Sequence, residues 1–140
     1  MSPERIYEVR PIGWVRSSLR HLADAPKQGH EGAPDAHLQI EQAFLRGLDG
    51  LTAGQDILIL TWLHQAGRDV LAVHPRDDLT RPLTGVFATR SADRPNPIGL
   101  HRVKLLAIDD GGSLRVQGFE AIDGTPVIDI KPVLSRSAEG

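Results

Sequence analysis

The stretch "DILILTWL", residues 56–63, is a continuous apolar run bounded by Gly54 and Gly67. Its length suits a single strand, and its lack of alternation marks a strand buried on both sides at the centre of the fold. Downstream, "TGVFAT" (84–89), "IGLHRVKLLAID" (98–109), "LRVQGFEAI" (114–122) and "TPVIDIKPVL" (125–134) are further β segments separated by "DDGG" and "DG" turns. Upstream, "IYEVRPIGWV" (6–15) mixes strand formers with Pro11 and Gly13, which predicts a first strand with a bend or bulge. Between them, "HLQIEQAFLRGLDGL" (37–51) begins with the strand alternation of Leu38 and Ile40, extending towards Gln42. It ends with Phe44, Leu45 and Leu48 on one face of a short helix closed by Gly50. Five to seven short strands in 140 residues predict an all-β fold, mainly an antiparallel β-barrel, with one or two short helices. Residues 1–134 are expected to form a single domain and 135–140, "SRSAEG", a tail.

Composition narrows the chemistry. The chain has no cysteine, which excludes disulfides, thiolate metal sites and a cysteine nucleophile. Charges run through the first eighteen residues without an apolar core, so neither a signal peptide nor a membrane span is expected there, and a cytoplasmic location is. A net charge of −2 provides no global field for nucleic acid, so an RNA partner must be held by a local patch. Between Arg76 and Lys104 six basic residues face three acidic ones, which makes this the most basic part of the chain. The histidines at 21, 30, 37, 74 and 101 have no metal-ligand spacing, and no metal site is expected. No glycine-rich phosphate loop and no nucleophile elbow is present.

Three places concentrate polar chemistry. In "FATRSADRPNPIGL" (87–100), Arg94 and Asn96 each precede a proline, and Pro95 and Pro97 have restricted φ, so the segment is stiff and extended. Donors on Arg90, Arg94 and Asn96 are thereby held ready for a ligand at low entropic cost. The alternative is a proline-rich connection in which Arg94 pairs with Asp93 or a neighbouring strand. In "EAIDGTPVIDIKP" (120–132) an Asp123-Gly124 turn leads to alternation, with Val127, Asp129 and Lys131 on one face and Ile128 and Ile130 on the other. Asp129 and Lys131 then either pair at a surface or line a polar cavity. The third place is His64-Gln65, at the exit of the central strand, where a histidine is more often a satisfied structural residue than a catalytic one, although strand ends are where binding sites are commonly built.

Taken in order, "PIGWVRSS", "APKQG", "LILTWLHQ", "GVFATRSADRPNPIGL" and "IDGTPVIDIKP", covering residues 11 to about 134, resemble the TsaA-like or TrmO family. Its members are S-adenosylmethionine-dependent tRNA methyltransferases with a β-barrel catalytic domain. The resemblance implies methyl transfer to N6 of N6-threonylcarbamoyladenosine at position 37 of tRNA, by a homodimer without metal or membrane. It implies that S-adenosylmethionine is gripped by Gln28, Gly29, His64, Gln65, Arg90, Leu100, Glu120 and Asp123. Arg94, Asn96, Asp129 and Lys131 fall to the RNA substrate. The pattern departs at Ala92, where proline is frequent, at His101, where serine is, and at Val133, where an aromatic is. Members acting on tRNA often carry a further C-terminal domain beyond the barrel. His64, Asp123 and Asp129 are possible acceptors for the proton that methylation displaces, and the sequence assigns none of them. Two alternatives remain open: transfer to a different small-molecule or RNA acceptor, and a non-enzymic barrel that binds RNA or a partner protein.

Overall fold

A computed structural model describes residues 5–20 and 34–134. The strands are β1 (Gly13–Arg16), β2 (Ala36–Ile40), β3 (Asp56–Trp62), β4 (Ala72–Val73), β5 (Thr84–Gly85), β6 (Ile98–Asp109), β7 (Ser113–Gln117) and β8 (Pro126–Pro132). Six of them close an antiparallel barrel in the order β1-β2-β7-β6-β3-β8, and β4 and β5 form a separate small hairpin. Closure gives every strand of the main sheet a neighbour on each side.

β3 lies between β6 and β8, as its central place in the sequence pattern predicts. It is not buried on both sides, however. Ile57, Ile59 and Thr61 point inward and are fully buried, whereas Leu58, Leu60 and Trp62 on the outer face stay partly exposed. An antiparallel barrel has no layer of helices on its outside, so only one face of each strand is sealed.

Alternation on β8 is also corrected. Pairing steps from Leu60–Asp129 to Thr61–Val127, which skips Ile128. This bulge inserts one residue and flips the faces on either side of it, so that both Val127 and Ile130 reach the core. The first strand is shorter than predicted: Ile6, Tyr7 and Val9 are exposed, and only Gly13–Arg16 pairs. Gly13 sits so close to β2 that a Cβ on it would lie 2.3 Å from the Gln39 carbonyl oxygen, so only glycine fits the start of this strand. "TGVFAT" forms only the two-residue β5 before turning into a 3₁₀ segment, Val86–Ala88.

The core is filled by the inward residues of every barrel strand, with Phe119 packed among them just after β7. The strand-to-helix reading of residues 37–51 is met by β2 and a 3₁₀ helix, Gln42–Leu48, whose Phe44, Leu45 and Leu48 pack against the core. Because all barrel pairs are antiparallel, this helix follows β2 at one end of the barrel. The C-terminal end of β3 and the N-terminal ends of β6 and β8 gather at the other. The predicted tail, residues 135–140, lies outside the described residues.

Candidate functional site

At that second end, segments far apart in sequence line a cleft of about 850 Å³. They are the exit of β3, the excursion through β4 and β5, the start of β6, and residues 120–125. A volume of this size falls within the ~300–1,000 Å³ of small-molecule sites.

The excursion is fastened to the barrel by its own backbone. Gly67 donates its N–H to Asp93 Oδ1 at 2.8 Å, and Arg94 donates its backbone N–H to the Gly67 carbonyl at 3.0 Å. The Leu63 N–H reaches the Pro97 carbonyl at 2.8 Å. Arg68 donates to the Pro95 carbonyl and to Asn96 Oδ1, at 2.9 and 3.3 Å, and its guanidinium lies over the Trp62 ring at 5.1 Å. Prolines 95 and 97 lack N–H groups, so carbonyls and neighbours carry these contacts. At the far tip, Thr80 donates its hydroxyl and its backbone N–H to Asp78, and these bonds hold the Asp78 carboxyl below the usual carboxylate range.

Residues singled out in the sequence take three different positions. His64, Gln65, Arg90, Leu100 and Glu120 all line the cleft. Arg90 is exposed there and makes no hydrogen bond or ion pair among the described residues. Arg94 also borders the cleft, but its guanidinium is committed to the Val86 and Thr89 carbonyls, which shape the loop that presents Arg90. Asp123 stands behind the wall, where it accepts from the Ser17 N–H at 2.9 Å and pairs with Arg20 at 3.2 Å. Asn96 is turned to Arg68, and Asp129 and Lys131 form an exposed pair at 3.2 Å on β8. Gln28 and Gly29 lie outside the described residues.

Arg94→Met keeps the stem and removes the donors. It is expected to cost about 2 kcal/mol, the scale of charge-assisted bonds to carbonyls, and to weaken ligand binding by loosening the Arg90 loop. Denaturant unfolding and calorimetry check both; unchanged stability would mean that the loop holds its shape without these bonds.

Strand alternation alone did not single out one further group. Thr61 on β3 and His101 on β6 are polar residues at inward positions, and both are buried. His101 Nε2 lies 2.7 Å from Thr61 Oγ1, and its Nδ1 lies 2.5 Å from Glu120 Oε1. The Phe119 ring packs on the imidazole at 4.8 Å. A Cβ on Gly99 would fall 2.4 Å from Thr61 Oγ1 and 2.6 Å from His101 Nε2, so glycine at 99 makes room for this pair. The signal in the sequence was a polar residue in an inward register, Thr61 after Ile57 and Ile59, and His101 before Val103 and Leu105. Sequence reading also passed over Phe87, an aromatic 82% exposed at the cleft wall. Among the described residues no group of three or more His, Cys, Asp or Glu could hold a metal, and no helix is long and apolar enough to cross a membrane.

Known proteins resemble this chain throughout. A probable S-adenosyl-L-methionine-binding protein of Methanothermobacter thermautotrophicus is 47% identical over 89% of this chain and 88% of its own length. An S-adenosyl-L-methionine-binding protein of Archaeoglobus fulgidus is 39% identical over 88% of this chain and 86% of its own. The crystal structure of TrmO from Pseudomonas aeruginosa superposes with a TM-score of 0.75 at 32% identity, covering 99% of this chain, which spans 59% of that one. The family model for the tRNA-methyltransferase O N-terminal domain matches residues 14–138, from β1 to past the last strand. The barrel is thus a shared architecture, and the chain belongs to the tRNA-methyltransferase O N-terminal domain family.

Proposed function

We propose that this domain is an S-adenosylmethionine-dependent methyltransferase acting on N6 of N6-threonylcarbamoyladenosine at position 37 of tRNA. The observation that carries the reading is the meeting of His64, Gln65, Arg90, Leu100 and Glu120, from distant parts of the chain, on one cleft. The cofactor that the similar proteins bind and the activity of the family point the same way. The cleft also fits the cofactor chemically. Arg90 offers for its carboxylate a guanidinium with no partner among the described residues, His64 and Gln65 offer polar groups for hydroxyls or the amine, and Leu63, Ile98 and Leu100 offer apolar wall to the adenine. Gln28 and Gly29 complete the grip, and Asp123 acts by fastening the 120–125 segment to residues 17–20.

When bound, the cofactor supplies an electrophilic methyl on a sulfonium. The protein's task is to hold donor and acceptor in line, which needs no metal or covalent intermediate. Phe87 is placed to stack an unpaired base, a sequence-tolerant contact worth ~1–3 kcal/mol. Arg81, Asn96 and Lys131 are exposed for RNA backbone contacts. Arg94 and Asp129 serve those contacts indirectly, by shaping the loop and by pairing with Lys131. The protein works as a cytoplasmic homodimer in this reading.

The test is methyl transfer from labelled S-adenosylmethionine to bulk tRNA that bears the threonylcarbamoyl group or lacks it. Label is expected only in the modified population. Equal labelling of both, or labelling of small molecules alone, would reassign the acceptor. Cofactor binding without any transfer would favour a binding module.

A further inference from the structure

A carboxylate, an imidazole and a hydroxyl in file look at first like the machinery of a hydrolase. Glu120 meets Nδ1 and Thr61 meets Nε2 of His101, at 2.5 and 2.7 Å, the order in which an acid, a histidine and a nucleophilic alcohol stand in acyl-transfer enzymes. Burial reverses the polarity of the chain. Thr61 is fully buried and does not border the cleft, so no substrate can reach its oxygen. Glu120 does border the cleft, with 17% of its side chain exposed. The reactive end is the carboxylate, and the hydroxyl is the anchor.

Hydrogen-bond roles follow from the groups themselves. An ionised carboxylate only accepts, so Nδ1 must carry the hydrogen; in the neutral ring Nε2 then accepts from the Thr61 hydroxyl. Phe119 packs against the ring, and the absence of a side chain at Gly99 leaves room for its Nε2 edge. Glu120 is therefore a partly desolvated carboxylate in a fixed direction at the cleft wall.

We propose that Glu120 is the proton acceptor of the methyl transfer rather than the cofactor contact that the family resemblance implies, with His101 and Thr61 as the residues that position it; the inference rests on the methyltransferase reading. As the N–CH₃ bond forms and the S–CH₃ bond breaks with its electron pair left on sulfur, the acceptor nitrogen loses its proton to the Glu120 carboxylate. Sulfonium, N–H and carboxylate become thioether, N–CH₃ and carboxylic acid, and charge balances. The proton then passes to water through the open side of the cleft. An amide-like nitrogen whose lone pair is delocalised needs this assistance, because deprotonation restores its nucleophilicity.

The experiment separates this role from cofactor binding. In Glu120→Gln, calorimetry with S-adenosylmethionine is expected to give a dissociation constant within about threefold of wild type, while the single-turnover rate on tRNA falls ~100-fold or more. Formate is expected to restore part of the rate in Glu120→Ala. His101→Asn, which keeps a donor near the Nδ1 position, should retain more of the rate than His101→Phe, with cofactor affinity unchanged in both. Independently of activity, ¹⁵N NMR of the wild-type ring should report the Nδ1–H tautomer, and Glu120→Ala should lose it. Parallel loss of cofactor binding and rate in Glu120→Gln would make Glu120 a cofactor contact and overturn the proposal, as would a wild-type rate or an Nε2–H tautomer in the native protein. No transfer by the wild type to either tRNA population would overturn the methyltransferase reading, and this inference with it.

Discussion

S-adenosylmethionine binding is expected to fall at least ~10-fold in Arg90→Ala, because one or two charge-assisted hydrogen bonds of ~1.5–3 kcal/mol each are lost. The expectation depends on a contrast between two arginines four residues apart. Arg94 spends its guanidinium on the Val86 and Thr89 carbonyls, so its charge serves the loop. Arg90 follows the 3₁₀ segment Val86–Ala88 and reaches the same cleft with no such commitment among the described residues. Removing Arg90 therefore takes away ligand contacts while leaving the fold alone, and thermal unfolding of the variant should match wild type. Arg90→Lys should recover only part of the affinity, since an ammonium cannot reproduce the planar two-point contact. Calorimetric titration decides the matter. Unchanged affinity in Arg90→Ala would mean that the cofactor sits elsewhere in the cleft.

Gly99→Ala should damage fold and site together. Its methyl would stand 2.4 Å from Thr61 Oγ1 and 2.6 Å from His101 Nε2, and neither atom belongs to a flexible side chain that can swing away. Both are buried, and the imidazole is pinned by Glu120 and Phe119. Overpacking costs ~1–3 kcal/mol, and separating Thr61 from His101 leaves a buried hydroxyl unsatisfied for ~1–3 kcal/mol more. A total of about 3–4 kcal/mol would lower Tm by about 10 °C or more in a domain of this size. In a His101→Ser background one of the two clashes is gone and the same methyl should cost less, a coupling readable in a double-mutant cycle. Additive effects would show that the clash is relieved by backbone movement instead.

Much of the barrel was legible because its signals are local. Alternation in β2, β6 and β7, the glycines after Asp110 and the apolar run of β3 each follow from which residues tolerate a pleat or a tight turn. Readings failed where a neighbour decided. Ile128 looks like any alternating residue until β3 pairs across it and a bulge appears. Ile6 and Val9 have good strand propensity, yet among the described residues no strand pairs with them. The buried appearance of "DILILTWL" was right for one face only, since a run of leucines does not reveal that the outer layer is missing.

The site divides along the same line. The residue types at the cleft, including the arginine-rich loop held by its prolines and the histidine-glutamine pair at the exit of β3, are written in the sequence together with the family pattern that joins them. By itself the sequence determined a β-rich domain, free of cysteine chemistry, of one recognisable family. Only the tertiary structure decided which polar groups are spent and which remain for a ligand. Arg90 and Arg94 differ by which carbonyls lie within reach, and His101 joins Thr61 and Glu120 in one hydrogen-bonded chain only because barrel closure brings β3, β6 and the segment after β7 to one point. Hydrogen-bond satisfaction is a property of neighbours in space, and strands 40 residues apart become neighbours only when the barrel closes.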